Sequence, residues 1–556
     1  MLGSWTPKFV AAIRHYSWSL FQRDLVAGVT VGLVALPLAM AFAIASGLSP
    51  QQGIYCAIVT GIVISALGGS NVQIGGPTGA FVVVVSGIVL QYGVTGLYVC
   101  TAMAGVILIV MGLTRTGSAV KFIPRPIVVG FTNGIAILIA STQIRDFFGI
   151  QVTGNPGSLV ERLHLLAAHA GSFSVPNTLV AAGTIATIVL VNRYARVVPG
   201  MIVALVGGSL AAYALGLPID TIGTRFGGVP SGLPHVQIPP FELSLLLKLL
   251  PSAITVAMLG AIESLMSAVV ADRMTGDRHN PNVELVAQGV ANVLSPMFGG
   301  LPATGAIART ATNIRAGART PVAGLIHTAT LLVILLVGAP LAGHIPMAVL
   351  AGILMVVAAN MGEWSEIRPL LRQTNTDRAV WFVTVFLTVF ADLTVAVEVG
   401  MVLAALLFIR RVASTTTVSR VTPDYLRAGR AHVLQDKHIP DDVAIFRIHG
   451  PFLFGSTDQL QRVTDHIDTL PPIVMFRLRN MTAIDATGLK AFEDVAVRLH
   501  ASGRDAIFCG APPQPARVMA RSGFAAHVGA ENMCVSVDAA LVRAAELRAQ
   551  RVRKTG

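Results

Sequence analysis

Pro77-Thr78-Gly79-Ala80-Phe81 stands early in one apolar run of this chain, and Pro302-Ala303-Thr304-Gly305-Ala306-Ile307 stands at the same place in another. The two Thr-Gly-Ala triplets are 226 residues apart (304 − 78 = 226). The same offset carries Asp24, where the first apolar run begins, to Leu250, where the eighth begins (24 + 226 = 250). Seven runs followed by seven more give halves of opposite topology, because seven is odd. Inverted repeats with Gly/Pro-interrupted segments at matching positions mark the midplane site of a membrane carrier. Pro and Gly delay the start of a helix, so each segment is expected to begin as a half-helix inside the membrane. Its unpaired N–H groups and positive dipole end then face an anion. A single triplet would read as small residues for close helix packing. The matched pair favours the anion.

The surrounding composition fits a lipid solvent. Of 556 residues, 53% are hydrophobic and 12% charged, about half the charged share of a soluble domain, and the mean hydropathy is +0.70. From about Asp24 to about Ile409 apolar runs alternate with Gly, Pro and short basic patches; after Arg410 and Arg411 the chain reads as soluble. Matching the runs to the roughly 20 residues that cross a bilayer gives about fourteen segments. Their centres lie near Leu33, Val59, Val84, Ile107, Ile135, Ile185, Val206, Leu259, Val290, Ile307, Leu331, Met355, Val385 and Leu403. The expected architecture is an α-helical polytopic membrane protein with fourteen transmembrane segments in a seven-plus-seven inverted repeat. Residues 1–23 form a cytosolic N-terminus, 24–411 the transport domain, 412–442 a linker and 443–550 a small α/β domain.

Lys/Arg asymmetry sets the orientation. With the N-terminus (Lys8, Arg14, Arg23) in the cytosol, so are the basic clusters Arg115, Lys121 and Arg125; Arg193 and Arg196; Arg273 and Arg278; Arg315 and Arg319; Arg368, Arg372 and Arg378; and Arg410 and Arg411. Arg145, Arg162 and Arg225, on the two longer opposite loops, break the pattern. Both termini are thus expected in the cytosol, in a multi-pass protein of the cytoplasmic (inner) membrane. The net charge of +12 is distributed as these anchors, not as one face or stripe, which argues against nucleic acid. No cleavable signal peptide is evident. Cys56, Cys100, Cys509 and Cys534 lack metal or disulfide spacing. The spans hold no Cys/His nucleophile pair, metal motif or phosphate loop, so an enzyme and an ATP-driven pump are both disfavoured, and neither metal nor cofactor is expected.

At the level of motifs the chain resembles the sulfate permease (SulP) anion transporters, bacterial relatives of solute carrier family 26. The resemblance rests on Arg23-Asp24-Leu25-Val26-Ala27-Gly28-Val29-Thr30-Val31-Gly32, Gly75-Gly76-Pro77-Thr78, Ala261-Ile262-Glu263-Ser264-Leu265, Asn292 followed by Gly299-Gly300, and Thr304-Gly305-Ala306-Ile307-Ala308-Arg309-Thr310. It implies a uracil-transporter-like fold, core and gate subdomains, a homodimer, and substrate between the half-helices of the third and tenth segments. Many sulfate-type members carry Pro-Gln where this chain has Pro37-Leu38. That departure, with Gly260-Ala261-Ile262-Glu263-Ser264-Leu265 and Met274-Thr275-Gly276, looks like the branch that carries C4-dicarboxylates such as succinate, fumarate and aspartate.

Glu263 is the only acid inside the eighth apolar run, where a carboxylate is costly unless it faces the bundle interior or a cavity. Ser267 lies one turn on, on the same face. Family members that couple to sodium place an acid and a hydroxyl at these positions; a buried Glu can instead take up a proton. The bland alternative pairs Glu263 with Arg309, which itself resembles the basic residue the family sets near its anion. Backbone groups of Thr78, Gly79, Ala80, Gly305, Ala306, Ile307 and Ala308 are the expected anion contacts, with Phe42 and Phe81 as walls. Asp392 and Glu398 read as interfacial charges, and His327 as a satisfied interior histidine.

The tail alternates strands (443–448, 473–478, 506–509) with an apolar-periodic helix from Leu489 to Leu499. It resembles the STAS domain (sulfate transporter and anti-sigma factor antagonist), whose strand-to-helix loop matches Asp485-Ala486-Thr487-Gly488. In soluble antagonists a hydroxyl residue at the position of Thr487 is phosphorylated; here a helix cap at Asp485 or Thr487 is the simpler reading. A cytosolic protein partner at this domain is a weaker expectation. The functional expectation is secondary active transport of a small organic dianion with protons, by an elevator-like displacement with Glu263 as proton acceptor. Sulfate with protons, bicarbonate with sodium, and an anion channel or exchanger are the alternatives.

Overall fold

The structure, a computed structural model, describes residues 5–117, 124–152, 158–195, 199–228, 232, 236–239, 242–391, 395, 399–400, 402–403, 405–407, 409, 415–421, 439–460 and 467–555. Lys121, Arg196, Asp392, Glu398, Arg410 and Arg411 lie outside the described residues. The chain divides into two compact units, Met1–Val402 and Leu403–Gly556.

Unit one is helical. After the short α1 (Lys8–Ile13) come α2 (Trp18–Ala45), α3 (Pro50–Leu67), the two-residue strand β1 (Gly75–Gly76), a 3-10 turn Gly79–Phe81 and α4 (Val82–Leu113). Then follow α5 (Arg125–Phe148), α6 (Leu159–Ala168), α7 (Val175–Tyr194), α8 (Gly200–Ala214) and α9 (Ile222–Phe226). The second half runs α10 (Leu243–Thr275), α11 (Pro281–Met297), β2 (Thr304–Gly305), α12 (Ile307–Arg315), α13 (Val322–Ala342), α14 (Met347–Met361), α15 (Trp364–Leu370) and α16 (Asn375–Phe390). Among the described residues, eight helices are long and apolar enough to cross a membrane. Val337 on α13, Leu341 on α13 and Leu243 on α10 are 76%, 75% and 73% exposed, an outward apolar surface that suits lipid and not water.

The expected span centres from Leu33 to Val385 all fall in helices, Val84 and Ile107 sharing α4, but Val206, Val290, Ile307 and Val385 lie in α8, α11, α12 and α16, outside those eight. Helix α4 is two helices joined at Gly93, whose φ of 70° and ψ of −179° a side chain would strain. The last centre, Leu403, lies where only part of the chain is described. Span starts differ from expectation. α2 begins at Trp18 rather than Asp24, because Ser17 caps it through a bond from Leu20 N (3.3 Å). α10 begins at Leu243 rather than Leu250, because its apolar face continues backwards through Leu246 and Leu247. Both shifts are in the same direction, so the repeat survives (243 − 18 = 225).

Two sets of neighbours emerge. α2, α3, α4, α10, α11, α12 and α13 pack together, and α5, α7, α8, α14 and α16 form the other set. A reciprocal close approach joins α4 to α11: a Cβ on Gly289 would lie 2.6 Å from Gly105 O, and one on Gly105 would lie 2.7 Å from Gly289 O. Small residues let backbones meet where lipid supplies no hydrophobic drive. On the side of the N-terminus, buried Asp24 accepts bonds from Arg319 N (2.9 Å), Thr320 N (3.2 Å), Thr320 Oγ1 (2.5 Å) and the Tyr16 hydroxyl (3.2 Å), tying α2 to the turn before α13. Burial, and then the Asp24 charge, push the Tyr16 phenol up to about 12, so it stays a donor.

Unit two holds a five-stranded sheet in the order β3 (Thr417–Arg420), β4 (Val443–Phe452), β5 (Ile473–Ile484), β6 (Asp505–Cys509), β7 (Met533–Cys534). β3 is antiparallel to β4; the other neighbours are parallel. The helix Ala486–Ala501 buries Leu489, Phe492, Val495 and Leu499 against one face, as its periodicity predicts. β3 falls inside the expected linker, 412–442. Its residues Thr417, Ser419 and Arg420 are exposed at a sheet edge, so no alternating apolar signal announces it. Arg548 holds the Asp442 carboxyl below its usual range by a two-nitrogen contact.

The α4–α11 contact yields a paired prediction. Gly289→Val forces a side chain into Gly105 O and should cost at least the roughly 1–3 kcal/mol of overpacking. Gly87→Ala, with nothing within 4 Å of its Cβ, should cost nothing. Thermal unfolding in detergent distinguishes them, and equal melting temperatures would refute the packing argument.

Candidate functional site

The two interrupted helices are held by their extended leaders. β1 and β2 pair antiparallel, Gly75 with Gly305 and Gly76 with Thr304, so the chains enter their helices from opposite directions. The first intrahelical bonds are Phe81 N to Thr78 O (3.3 Å) on one side and Thr310 N to Ala306 O (2.9 Å) on the other. The amides just before them therefore have no acceptor within their own helix.

Some of those amides are satisfied by the protein itself. Gly305 N donates to Ser264 Oγ (3.1 Å) and Ala306 N to Ile74 O (2.8 Å). This corrects the expectation that both face an anion: in this conformation they belong to the bridge. The open cradle narrows to Gly79 and Ala80 on the first side and to Ile307 and Ala308 on the second. Gly305 has a steric reason to be glycine as well, since a Cβ would lie 1.6 Å from Gln73 Nε2.

Both triplet threonines turn towards α10. Thr78 Oγ1 donates to Glu263 Oε2 at 3.0 Å. Thr304 Oγ1 donates to Gly260 O (3.0 Å) and lies 2.6 Å from Ser264 Oγ. Ser267, fully buried, donates to Thr310 Oγ1 (3.2 Å), which accepts from Ile74 N (3.1 Å). Ser267 thus shares Glu263's helix face yet bonds elsewhere. Arg309 is 2% exposed. Its Nη2 donates to Pro77 O across the repeat boundary, while Nη1 has no hydrogen-bond partner. No ion pair joins Arg309 to Glu263 among the described residues, so the bland pairing is not made.

A Cβ on Gly79 would meet Ile139 Cδ1 (2.9 Å), Met361 Sδ (3.0 Å) and Phe42 Cε1 (3.3 Å), so an apolar wall covers the first helix end. Phe42 belongs to it; Phe81, 2% exposed, instead packs towards Gly260 on α10. His327 is fully buried, and neither ring nitrogen has a partner, unlike the satisfied histidine expected. Asn292 clamps Ala303 through both groups, accepting from its N–H and donating to its carbonyl (2.8 Å each). Ser264, Gln73, Thr304 and Thr310 escaped the sequence reading as site builders. Only their place beside the quoted motifs was a signal.

In the tail, Asp485 caps its helix by accepting from Gly488 N (2.8 Å) and also receives Phe454 N (3.1 Å). Thr487 takes no part in that cap and is exposed. All four cysteines are free thiols.

Opposed interrupted helices around a half-buried carboxylate and a half-satisfied arginine, inside an apolar helical bundle, fit a membrane carrier of small anions. Comparison names the kind. The profile of the Sulfate permease family matches residues 21–384, that of the STAS domain matches 435–540, and the chain belongs to the sulfate permease family. YvdB of Bacillus subtilis (strain 168), named as a candidate sulfate transporter, is 38% identical over 94% of this chain and 98% of its own. The bicarbonate transporter BicA of Synechocystis sp. (strain PCC 6803) is 32% identical over 89% of each chain. The solved transmembrane domain of a cyanobacterial BicA superposes with a TM-score of 0.63 at 33% identity, covering 70% of this chain and 98% of that one. The murine anion transporter Slc26a9 in its inward-facing state reaches 0.87 at 17% identity over 98% and 94%, a likeness of fold.

Removing the Thr78 donor isolates the Glu263 carboxylate. Thr78→Val leaves the half-buried carboxylate without that hydrogen bond, at a cost of about 1 kcal/mol, and Thr78→Ser should restore the bond. Thermal stability and uptake should fall together in the first variant and recover in the second. Recovery in neither would remove Thr78 from the site.

Proposed function

We propose that this protein is a secondary active transporter that takes up a small anion together with a proton. The anion sits between the open helix ends at Gly79–Ala80 and Ile307–Ala308, with Arg309 beside it, and Glu263 carries the proton. The observation that supports this most is the opposed pair of interrupted helices closing on Glu263 and on an arginine with an unused donor. Amide dipoles and one cation complement an anion, and a carboxylate held by one hydroxyl can change protonation without breaking an ion pair. α5, α7, α8, α14 and α16 would act as the gate past which the other set slides. The basic clusters support cytosolic termini in the inner membrane, and the family resemblance supports a homodimer. Thr487, exposed at the start of its helix, is available to a kinase, and phosphorylation there would be regulatory.

Two substrate readings compete. Pro37-Leu38 favours a C4-dicarboxylate, the expectation from sequence. The relatives named above are described for sulfate and bicarbonate, which gives those anions comparable support. Sodium coupling is the second reading of Glu263, favoured by the hydroxyls of Thr78, Ser264, Ser267, Thr304 and Thr310 around it.

Purified protein in proteoliposomes separates these. Labelled succinate, fumarate, sulfate and bicarbonate are offered under imposed proton or sodium gradients. Accumulation driven by a proton gradient is expected. Glu263→Gln should abolish it while retaining exchange of anion down its own gradient. Accumulation driven by sodium alone would sink the proton assignment, and loss of anion binding in Glu263→Gln would make that residue structural.

A further inference from the structure

Two of the three arginines that break the positive-inside pattern come together in space. Arg145 at the end of α5 and Arg225 on α9 line one cavity of about 210 Å³, an order of magnitude above the roughly 10–15 Å³ that a single water needs. Arg162 is engaged elsewhere, donating to Ser141 Oγ (2.8 Å). The cavity is walled by the last turns of α2 (Ala41, Ile44, Ala45), the last turns of α5 (Thr142, Gln143, Asp146) and the first turns of α14 (Met347, Leu350).

Its charges are unbalanced. Arg225 Nη1 meets Asp146 Oδ1 at 2.6 Å, with both side chains largely buried. The Arg145 guanidinium makes no hydrogen bond or ion pair among the described residues. The other nearby acid, Asp220, is exposed and outside the cavity wall. The lining therefore carries two cations against one anion. The start of α14 and the ends of α2 and α5 meet at the same space, so helix ends of both signs line it and the excess positive charge rests on the arginine side chains. The cavity wall shares α2 and α5 with the cover over Gly79. Ala41 precedes Phe42, and Thr142 lies three residues beyond Ile139, the two side chains that stand over Gly79.

We propose that this cavity is a second anion site, an outer vestibule in which Arg145 captures a small oxyanion before it passes along α2 to the helix ends. The Arg225–Asp146 pair forms its rim and spares Arg145 from neutralisation by Asp146. The polar lining (Arg145, Thr142, Gln143) suits a sulfate, carbonate or carboxylate group. The inference rests on the transport reading above and adds to it the place and the residue of first capture.

The test uses the full chain in right-side-out vesicles, with external labelled sulfate, bicarbonate and succinate as parallel arms. For whichever anion the wild type accumulates, Arg145→Gln should raise the external KM by about tenfold, the loss of one charge-assisted hydrogen bond. Its kcat should stay within about twofold, because chemistry at Glu263 is untouched. Arg145→Lys should keep most of the affinity, and Asp146→Asn, which frees a second cation, should lower KM. Monodisperse elution checks that each variant folds, and Asp146→Asn supplies the answer if Arg145→Gln does not. Normal wild-type uptake with KM unchanged in both Arg145→Gln and Asp146→Asn would overturn the vestibule alone. A wild type that accumulates none of the three anions would overturn the transport reading and the vestibule with it.

Discussion

Backbone N–H and C=O groups away from water must find partners within the protein, and two helices that start inside the helical bundle violate that requirement at their open ends. The pairing of Gly75–Gly76 with Thr304–Gly305 answers it. Two strands of two residues satisfy the extended leaders, and side chains finish the work. Ser264 takes Gly305 N, Thr310 takes Ile74 N, and Asn292 closes Ala303. Each of these side chains is buried and already oriented by its own helix. Glycine on both strands follows, because Gln73 fills the space at Gly305 and the Arg309 guanidinium fills it at Gly76. The bridge thus decides where the open amides can be. It consumes those at 305 and 306 and takes no part with those of 79, 80, 307 and 308.

The charged groups fit the same plan. A buried Arg–Glu ion pair would neutralise the centre and make it inert, and removing one partner of such a pair is strongly destabilising. Arg309 instead spends one nitrogen on Pro77 O and keeps the other unused, while Glu263 has Thr78. Each charge is anchored by the opposite repeat: Arg309 by the first, and Glu263, on α10 of the second, by Thr78 of the first. Displacement of one interrupted helix relative to the other would disturb both anchors together. Under the transport reading proposed above, this would be the physical route by which occupancy of the anion site and protonation of Glu263 influence one another.

Much of this was legible before the structure. The repeat, the interrupted helices and the isolated carboxylate follow from spacing and hydropathy, which are local properties. Partners were not, because they are distant in sequence: Thr78 and Glu263 are 185 residues apart, and Arg309 and Pro77 are 232 apart. Serine and threonine in an apolar run read equally well as packing residues that return a bond to their own helix, as Thr60 and Thr101 do here. Nothing in composition separates those from Ser264 and Thr310. The same limit hid β3, whose exposed polar residues carry no alternation, and the capture of the Gly305 and Ala306 amides. The misfit of Arg145 and Arg225 with the orientation pattern was visible from the start. Its meaning needed the cavity that brings them together.

A cradle of amides, and not of several arginines, also suits a carrier energetically. A helix end contributes about 0.3–1 kcal/mol to an anion, reaching roughly 2 when partly buried. Two such ends and a single charge-assisted bond of about 1.5–3 kcal/mol come to a few kcal/mol, before the cost of stripping water from the anion. An affinity of about 4 kcal/mol corresponds to millimolar binding. Binding of that order fills the site when substrate is abundant and empties it within a transport cycle. Several fully engaged arginines would hold a divalent oxyanion far more tightly and slow its release. In the proposed site the free Nη1 of Arg309 would supply the one charge for selection, and the neutral dipoles around it would keep the complex reversible.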